Sequence, residues 1–523
     1  MKRCFYILFL QLLFISLKSQ QSNSNFGRNY SIFKESQSHV IDNSLHTSVK
    51  PYLLSNIDSN LSESNSNWFD RKLNNEYFIQ YENKDYSLIL NPILDLEVGK
   101  EFNSNTIYWK NTRGIIADGK LGNKFSFYSL FLENQSRLPS YVTNTILSKS
   151  AWVIPGQGES RWSQDTIFDY AMAEGHLTYQ FSSFSSFQFG TGKNFIGDGY
   201  RSMILSDNAF NYPFLRIHTK AGIFQYTNLY MQHIDMMSNP SQEYTYDRKY
   251  MTLHHLSTNL TNRLNIGIFE SVIWSNQRTP EVSGFDIAYL NPIIFLRPVE
   301  FSINSSDNVL IGSNLKFKLT NNAHIYAQFI IDEFSLPELT AGNSWWGNKY
   351  AYQIGGKSYN SFNIDNFNFQ FEHNFARPYM YSHNYVNQNY GHFYQPLSHP
   401  LGANFRESLL FIDYKYKKWE VHLQILTARF GDKIKNDSIS YGNDIFISNS
   451  YRPSDFDIQL FQGNDSRLNY YRLYLSYLLN PRTNLKIESG YIFRKLKDDQ
   501  IENKTGFIFF ALRSDLFNRY YDF

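Results

Sequence analysis

Apolar and polar residues alternate one by one along most of this chain, from Glu76 to its end. The pattern is clearest in residues 323–334, 418–430 and 484–495. In the last stretch the apolar residues are Leu485, Ile487, Tyr491 and Phe493, and the charged residues between them are Lys486, Glu488 and Arg494. A period of two predicts β-strands whose two faces meet different surroundings. These strands are longer than those of most soluble proteins and reach the length that a tilted membrane strand needs.

The connections between the predicted strands alternate in length. Short turns lie at 320–322, 416–418 and 480–484, and long stretches rich in Gly and Asn lie at 136–168, 192–210, 336–348, 375–405 and 431–466. Tight turns on one rim and long loops on the other are typical of outer-membrane barrels. We therefore predict an all-β fold over 76–523, a single transmembrane antiparallel β-barrel of about 18 strands with long extracellular loops.

The beginning of the chain has two further parts. Residues 1–19 have the pattern of a signal peptide, with Lys2 and Arg3 before an apolar stretch from Cys4 to Leu17. Cys4 is the single cysteine, so the mature chain is expected to have no disulfide. Residues 20–75 are rich in Ser and Asn and predict a short, loosely ordered extension with at most one short helix, at 46–57. The expected location is the outer membrane of a Gram-negative bacterium.

Composition supports the barrel. The chain has 45 Phe, 39 Tyr and 8 Trp, or 18% aromatic residues, yet its mean hydropathy is −0.43. Many aromatic residues in a polar chain favour strands between lipid and a wet interior. No later stretch reaches the roughly 18 consecutive apolar residues of a membrane helix. The net charge of +2 argues against binding to nucleic acid.

The densest run of glycine and charge is "GTGKNFIGDGYRSMILSDNAF", residues 190–210. Its glycines are Gly190, Gly192, Gly197 and Gly199, and its candidate functional residues are Lys193, Asn194, Asp198, Tyr200 and Arg201. The spacing lacks the third glycine of a dinucleotide-binding loop, and no amphipathic helix follows. We predict a loop that folds into the lumen or over its mouth. Its polar residues either fix the loop or contact a glycan, and the glycines are structural.

Other candidate residues lie in the remaining long loops. The rings of Trp345 and Trp346 either stack on sugars or belong to the interfacial aromatic belt. His383 and His392 share one loop but lack the spacing of a metal site, so they are candidates only for glycan binding or loop fixing. No Ser–His or carboxylate arrangement predicts catalysis. We expect no enzymatic activity, no catalytic residue, no metal and no cofactor.

Three blocks carry a resemblance to a known family. They are "FGTGKNFIGDGYRSMILSDNAFNYPFLRI" (189–217), "LNPIIFLRPVEFSI" (290–303) and "YSHNYVNQNYGHFYQPLSHPLGANFRE" (381–407). They resemble the signature blocks of the capsule-assembly Wzi family, and most closely its gliding-motility branch of the RemB type. The resemblance covers most of residues 76–523 and leaves out the Ser- and Asn-rich extension.

The resemblance implies a non-enzymatic outer-membrane barrel at the cell surface. Such a protein would act like a lectin in the assembly or retention of capsule or exopolysaccharide, in gliding motility, or in both. The implied partners are outer-membrane lipid, surface polysaccharide and the gliding or type IX secretion machinery, and no nucleic acid. The alternative is an outer-membrane transport channel for oligosaccharides or ions, because barrels of this size can enclose a pore.

Overall fold

The computed structural model describes residues 21–23, 27–55, 67–149, 151–162, 166–236, 246–276, 278–279, 282–293, 306–434 and 437–523. Eighteen antiparallel strands in these residues close into one barrel, which confirms the predicted fold. They are β1 (Tyr86–Glu101), β2 (Ile107–Leu121), β3 (Phe125–Arg137), β4 (Phe168–Gln180), β5 (Ser185–Gly192), β6 (Tyr212–Ala221), β7 (Phe224–Asp235), β8 (Asp247–Asn259), β9 (Leu264–Ser275), β10 (Asn308–Lys318), β11 (Ala323–Glu333), β12 (Lys349–Ser358), β13 (Phe367–Ala376), β14 (Phe405–Tyr416), β15 (Trp419–Asp432), β16 (Asn464–Asn480), β17 (Leu485–Lys497) and β18 (Glu502–Ser514). Each strand pairs with the next one along the chain.

The barrel closes where β18 pairs with β1. This seam runs from Phe507↔Glu101 to Arg513↔Asp95, about half the length of the β1–β2 ladder. A short strand, Ile79–Glu82, pairs with the beginning of β1. On the luminal side of the seam, Arg513 forms ion pairs with Asp95 and Glu97. Two further cations, from Lys110 and Arg519, also pair with Asp95.

Burial along the strands is the reverse of that in a soluble protein. In β15 the polar residues Glu420 and His422 are buried, whereas Trp419 and Val421 are 48% and 37% exposed. The same alternation recurs in β11 and β17. The apolar face therefore points outwards to lipid and the polar face points into the lumen, as a membrane barrel requires.

The two rims of the barrel differ as predicted. One rim carries the short turns at 122–124, 181–184, 222–223, 260–263, 319–322, 359–366, 417–418 and 481–484. The long connections at 138–167, 193–211, 236–246, 276–307, 334–348, 377–404 and 433–463 all join strands at the other rim. We call these the short-turn rim and the long-loop rim.

The described residues form four α-helices, all of them short: α1 (Arg28–Glu35), α2 (Trp68–Asn74), α3 (Ser140–Leu147) and α4 (Leu336–Ala341). None of the helices in the described residues is long and apolar enough to cross a membrane. The extension was predicted to hold at most one short helix but holds two, α1 and α2, and neither lies at 46–57. In the described part of that stretch, Val49–Lys50 pairs with Phe195–Ile196 and Leu53–Ser55 pairs with Gln21–Asn23.

Several described segments of the chain fill the lumen. Among them are residues 27–52, which we call the N-terminal segment; residues 193–211, the plug loop; residues 377–404, the mouth loop; and residues 515–523, the C-terminal tail. The main apolar core lies here rather than between sheets: Met203 and Leu205 of the plug loop pack with Tyr381 and Tyr390 of the mouth loop. The wall strands supply polar side chains that bind these segments.

Candidate functional site

The plug loop leaves β5 at the long-loop rim and turns into the lumen. The Gln328 side chain on β11 accepts a hydrogen bond from Met203 N (2.8 Å) and donates one to Ile196 O (2.9 Å). On β12, Gln353 Nε2 donates to Arg201 O at 2.9 Å. Buried backbone groups must be paired in a space without bulk water. The amide side chains of the wall meet this requirement for a loop that has little regular structure of its own.

Arg201 is the central charge of the plug loop and is only 1% exposed. Its guanidinium lies 3.1 Å from Glu407 Oε1 on β14 and 3.0 Å from Asp522 Oδ1 in the C-terminal tail. Burial alone would lower the pKa of Arg201, but these carboxylates outweigh it and hold the pKa well above its ordinary value. Arg201 therefore stays charged and joins the loop, the wall and the tail.

Tyr200 and Glu372 form a second attachment. The Glu372 carboxylate on β13 accepts hydrogen bonds from Tyr200 N (2.7 Å) and Arg201 N (3.0 Å). The Tyr200 hydroxyl donates to Asp522 at 3.1 Å. A carboxylate that accepts two successive backbone N–H groups fixes the direction of the chain. Tyr200 thus lies among protein groups and is 9% exposed.

The remaining candidates of the plug loop also bind their own chain. Lys193 Nζ donates to Gly156 O (2.8 Å) and to Asp207 O (3.1 Å), and burial lowers the pKa of Lys193. Asn194 Oδ1 accepts a hydrogen bond from Arg216 at 3.3 Å. Asp198 accepts a hydrogen bond from the Thr47 hydroxyl at 2.5 Å. All three residues are therefore placed to fix the loop.

The four glycines differ in what they permit. A Cβ on Gly190 would collide with the backbone of Gly175, and one on Gly199 with the Glu372 carboxylate. Gly197 has φ +151°, and its Cβ would lie 2.6 Å from Gln328 Nε2. Gly197 and Gly199 therefore allow the plug loop to approach the wall closely, and Gly190 allows close packing of β5 against β4. Gly192 is different, since its Cβ would make an ordinary contact of 3.5 Å with the Phe214 ring.

The mouth loop covers the plug loop from the long-loop rim. The hydroxyls of Tyr381 and Tyr390 donate to Met203 O (2.7 Å) and Ile204 O (2.6 Å). His399 Nε2 lies 2.7 Å from Glu407, the carboxylate that also binds Arg201. The two loops, which are separated in sequence, therefore form one packed unit.

His383 and His392 of the mouth loop are buried. His392 Nδ1 accepts a hydrogen bond from Ile234 N at 2.9 Å, and its Nε2 lies 3.2 Å from Asn211 O, which fits the neutral tautomer with a proton on Nε2. Burial lowers the pKa of His392 to about 3 and that of His383 to about 4. In the described residues, no group of three or more His, Cys, Asp and Glu side chains is arranged to hold a metal ion.

The N-terminal segment enters from the short-turn rim. Arg28 lies 2.7 Å from Asp413 Oδ2 on β14, and Glu35 lies 2.9 Å from Lys357 Nζ on β12. Thr47 bonds to Asp198, so the segment also meets the plug loop. A luminal cavity of about 90 Å³ lies beside Arg28 and Asp413, and one of about 20 Å³ lies beside Glu35 and Lys357. A further cavity of about 30 Å³ lies beside Lys193 and Asp207. All three are well below the roughly 300 Å³ at which ligand pockets begin.

Trp345 and Trp346 lie at the long-loop rim, where the Trp346 ring packs edge-on against Tyr379 of the mouth loop with centroids 6.2 Å apart. Both rings are half-buried, with centroids 5.8 Å apart. The Arg452 guanidinium lies 4.0 Å from the centre of the Trp346 ring, and Arg452 Nε bonds to Asp455 at 2.6 Å. Trp346 N donates to Asp455 O at 2.9 Å. We call Trp345, Trp346, Arg452 and Asp455 the rim cluster.

Several residues that hold the plug were not predicted. Glu372, Glu407 and Asp522 bind the backbone of Tyr200 and the side chain of Arg201. The alternation along β13 and β14 could have placed the two glutamates on the luminal face. Asp522 lies beyond the last strand, where no periodic signal exists.

No protein-family model matches the sequence, and no curated protein matches it. Among solved structures, the chain resembles Wzi, an outer-membrane protein involved in group 1 capsule assembly in Escherichia coli and a carbohydrate-binding β-barrel. The TM-score is 0.50 at 12% identity, over 80% of this chain and 83% of Wzi. OprD from Pseudomonas aeruginosa matches with TM-score 0.43 and 8% identity, over 85% and 97% of the two chains. OccAB2 from Acinetobacter baumannii matches with TM-score 0.43 and 10% identity, over 83% and 99%. The similarity to Wzi is a similarity of fold. This chain is a β-barrel of the kind found in outer membranes.

Proposed function

We propose that this protein is a non-enzymatic outer-membrane barrel that binds exported polysaccharide at the long-loop rim, facing the outside of the cell. The observation that carries the proposal is a lumen filled by the protein's own chain. Arg201, Tyr200 and Asp198 of the plug loop are all bound to other parts of the molecule. A polymer outside the cell would therefore meet the rim and not the lumen.

The rim cluster has the chemistry that sugar binding needs. Trp345 and Trp346 present half-buried rings on which the apolar C–H face of a sugar can stack. Arg452 and Asp455 supply a hydrogen-bond donor and an acceptor beside the rings. The exposed rings of Tyr451 (63%) and Phe456 (44%) belong to the same connection. The fold shared with Wzi, described as a carbohydrate-binding barrel, agrees with this reading.

The test is the double variant Trp345→Ala with Trp346→Ala. Because the two rings lie at the rim, we expect the barrel to assemble normally while surface polysaccharide is released into the medium. The matched control is Phe362→Ala, which removes an aromatic ring that is 80% exposed at the short-turn rim. Retention in the double variant equal to that of the control would contradict the proposed role of the rim cluster.

Transport is the second candidate function. It is favoured by the charged residues that line the larger luminal cavity, among them Lys110, Arg472 and Arg513. A transport channel would require the plug loop and the N-terminal segment to leave the lumen. Conductance of the purified protein in a planar bilayer separates the two functions. A closed barrel agrees with polysaccharide binding, and steady channels of porin size would overturn it.

We also propose a role in gliding, which rests on the resemblance of the blocks at 189–217, 290–303 and 381–407 to the RemB-type branch. Deletion of the gene, scored for polysaccharide release and surface spreading side by side, separates the two roles. Release of polysaccharide without a spreading defect would support a role in polysaccharide retention. A spreading defect with normal polysaccharide retention would support a role in gliding. Normal behaviour in both assays would contradict the proposed function.

A further inference from the structure

The outer wall of the barrel carries polar residues where lipid contact would demand apolar ones. Strands β7 to β9 direct four such side chains outwards, and each is at most 3% exposed. These outward residues are Asn228, Thr252, His254 and Glu270, whereas their strand neighbours Leu229, Leu253 and Phe269 belong to the luminal core. Their burial shows that another part of the chain covers this side of the wall.

Residues 282–293, within the connection between β9 and β10, lie over these strands. We call them the outer segment. Thr252 Oγ1 donates to Tyr289 O at 2.8 Å, and Asn228 Nδ2 donates to Pro292 O at 2.7 Å. The Tyr226 hydroxyl also donates to Pro292 O, at 2.7 Å. Two of the four outward polar residues, Asn228 and Thr252, therefore bind the backbone of the outer segment.

A small apolar core joins the outer segment to the wall. Tyr289 is fully buried and packs with Trp274, Val272 and Val309. The Tyr289 hydroxyl donates to Asp307 at 2.6 Å. This core lies on the side of the sheet opposite to the lumen. The segment is thus packed against the barrel and does not extend away from it.

The outer segment reaches far down the wall from the long-loop rim. Phe285 contacts Tyr250, whose partner on β7 is Gln232, whereas Pro292 contacts Tyr226 near the other end of β7. Six residues of strand separate Gln232 from Tyr226, which is ~20 Å along the strand. The apolar band of an outer-membrane barrel is about 25 Å tall. The segment therefore lies beside the part of the wall that faces hydrocarbon.

The backbone of the outer segment is suited to such a place. Ala288 N donates to Asp286 Oδ1 (2.7 Å), Asn291 N to Ala288 O (3.2 Å) and Ile293 N to Asn291 Oδ1 (3.1 Å). Irregular backbone survives in lipid only when its polar groups have protein partners. Three exposed side chains are apolar: Phe285, Ile287 and Ile293 are 52%, 76% and 68% exposed. The exposed Asn291 is polar, and its Oδ1 is the acceptor for Ile293 N.

We propose that the outer segment lies in the lipid bilayer, clamped to the outer wall, and that its apolar side chains contact acyl chains. Its exposed face continues the apolar band formed by Ile268 and Ile311 on the neighbouring strands. The presence of Asn228 and Thr252 on the outer wall then has a physical reason, because they donate hydrogen bonds to carbonyl groups that lipid could not pair. This inference is independent of the polysaccharide proposal, because it concerns the wall and not the rim.

Spin labels on single cysteines test the proposal in protein reconstituted into phospholipid bilayers. A Cys4→Ser background has no other cysteine. Labels at Ile287 and Ile293 are compared with one at Ile354, on the outer wall (56% exposed), and one at Tyr451, at the rim (63% exposed). We expect Ile287 and Ile293 to match Ile354, with frequent collisions with oxygen and few with a polar nickel complex.

Two outcomes would overturn the proposal. Labels at Ile287 and Ile293 that behave like the one at Tyr451 would place the segment in water. Labels shielded from both oxygen and nickel would show that protein, and not lipid, covers the segment. The clamp itself is tested by combining Tyr226→Phe, Asn228→Leu and Thr252→Val, which removes the donors to Pro292 O and Tyr289 O. We expect this variant to lose the lipid-type signal at Ile293, and an unchanged signal would contradict the clamp.

Discussion

The plug loop and the loop with Trp345 and Trp346 both leave the barrel at the long-loop rim, yet they end in opposite environments. The plug loop is held by buried ionic and backbone contacts, with Arg201 1% exposed. The other loop keeps its two indole rings half-exposed beside Arg452. The difference indicates that the charge-rich loop fills the lumen, whereas the aromatic loop stays at the rim, where we propose that a polymer binds. Changes in the first should affect stability, and changes in the second should affect binding.

The largest effect is expected from Arg201→Ala, which leaves Glu407 and Asp522 buried beside each other without their shared cation. The loss of one partner of a buried ion pair costs about 3–5 kcal/mol of the free energy of unfolding. Urea unfolding of the detergent-solubilised barrel measures this change. The matched control is Arg429→Ala, which breaks a two-point pair with Asp465 at a partly exposed site and should cost about 0–1 kcal/mol. Equal costs in the two variants would contradict the anchoring role of Arg201.

A smaller effect is expected from Gly199→Ala. Its new methyl group would displace the Glu372 carboxylate from the N–H groups of Tyr200 and Arg201. Overpacking of this kind costs about 1–3 kcal/mol. Gly192→Ala adds the same methyl group where only ordinary contacts arise, and should change stability by less than about 0.5 kcal/mol. Urea midpoints compare the pair, and a costlier Gly192 variant would refute the distinction between these glycines.

Acid should loosen the mouth loop. His392 and His383 have pKa values lowered by burial to about 3 and about 4, whereas an unfolded histidine titrates near 6.5. Their contribution to stability is present above pH 6.5 and is lost progressively as the pH falls below it, because only the released loop takes up protons. Hydrogen exchange of residues 377–404 at pH 7 and pH 5, corrected for intrinsic rates, measures this effect. His392→Gln should reduce the pH dependence, and an unaltered dependence would show that His392 does not cause it.

The smallest effect on stability is expected at the rim. Arg452→Ala removes a cation from the face of Trp346, a contact worth about 0.5–1 kcal/mol at an exposed site. The variant should lose more of the free energy of polysaccharide binding than of the free energy of unfolding, because Arg452 is also a hydrogen-bond donor beside the rings. A glycan-retention assay alongside urea unfolding separates the two. If Arg452→Ala lost as much stability as Arg201→Ala, the plug loop and the loop with Trp345 and Trp346 would not differ in their contribution to stability.

The barrel could be predicted because its signals are local. Alternation along β15 or β17 depends only on neighbouring residues, and the lengths of the connections indicate which rim each connection belongs to. The helix expected at 46–57 illustrates the limit of such signals. The spacing of its apolar residues fits a helix, but Val49 and Lys50 pair instead with Phe195 and Ile196 of the plug loop. A contact made across the lumen outweighed the local preference.

The candidate site could be predicted only in part. Glycine and charge at 190–210 indicated a loop folded on the barrel, but its partners lie far away in the chain. Arg201 meets Glu407 and Asp522, and Arg28 meets Asp413. Local patterns carry no information about such pairs. The outer segment was missed for a related reason, because its outward partners, such as Asn228 and Thr252, look like luminal residues in the sequence.

The seam between β1 and β18 has a consequence for how the sheet resists force. Its hydrogen-bonded ladder is about half as long as that between β1 and β2, so by ladder length alone it would be the first place to part. Asp95, however, is shared by three cations, one each from β2, β18 and the C-terminal tail. Separating β1 from β18 would leave these charges unpaired in a space with little water. The ion cluster thus holds the seam closed, and under mechanical force a longer hydrogen-bonded ladder should separate before the seam does.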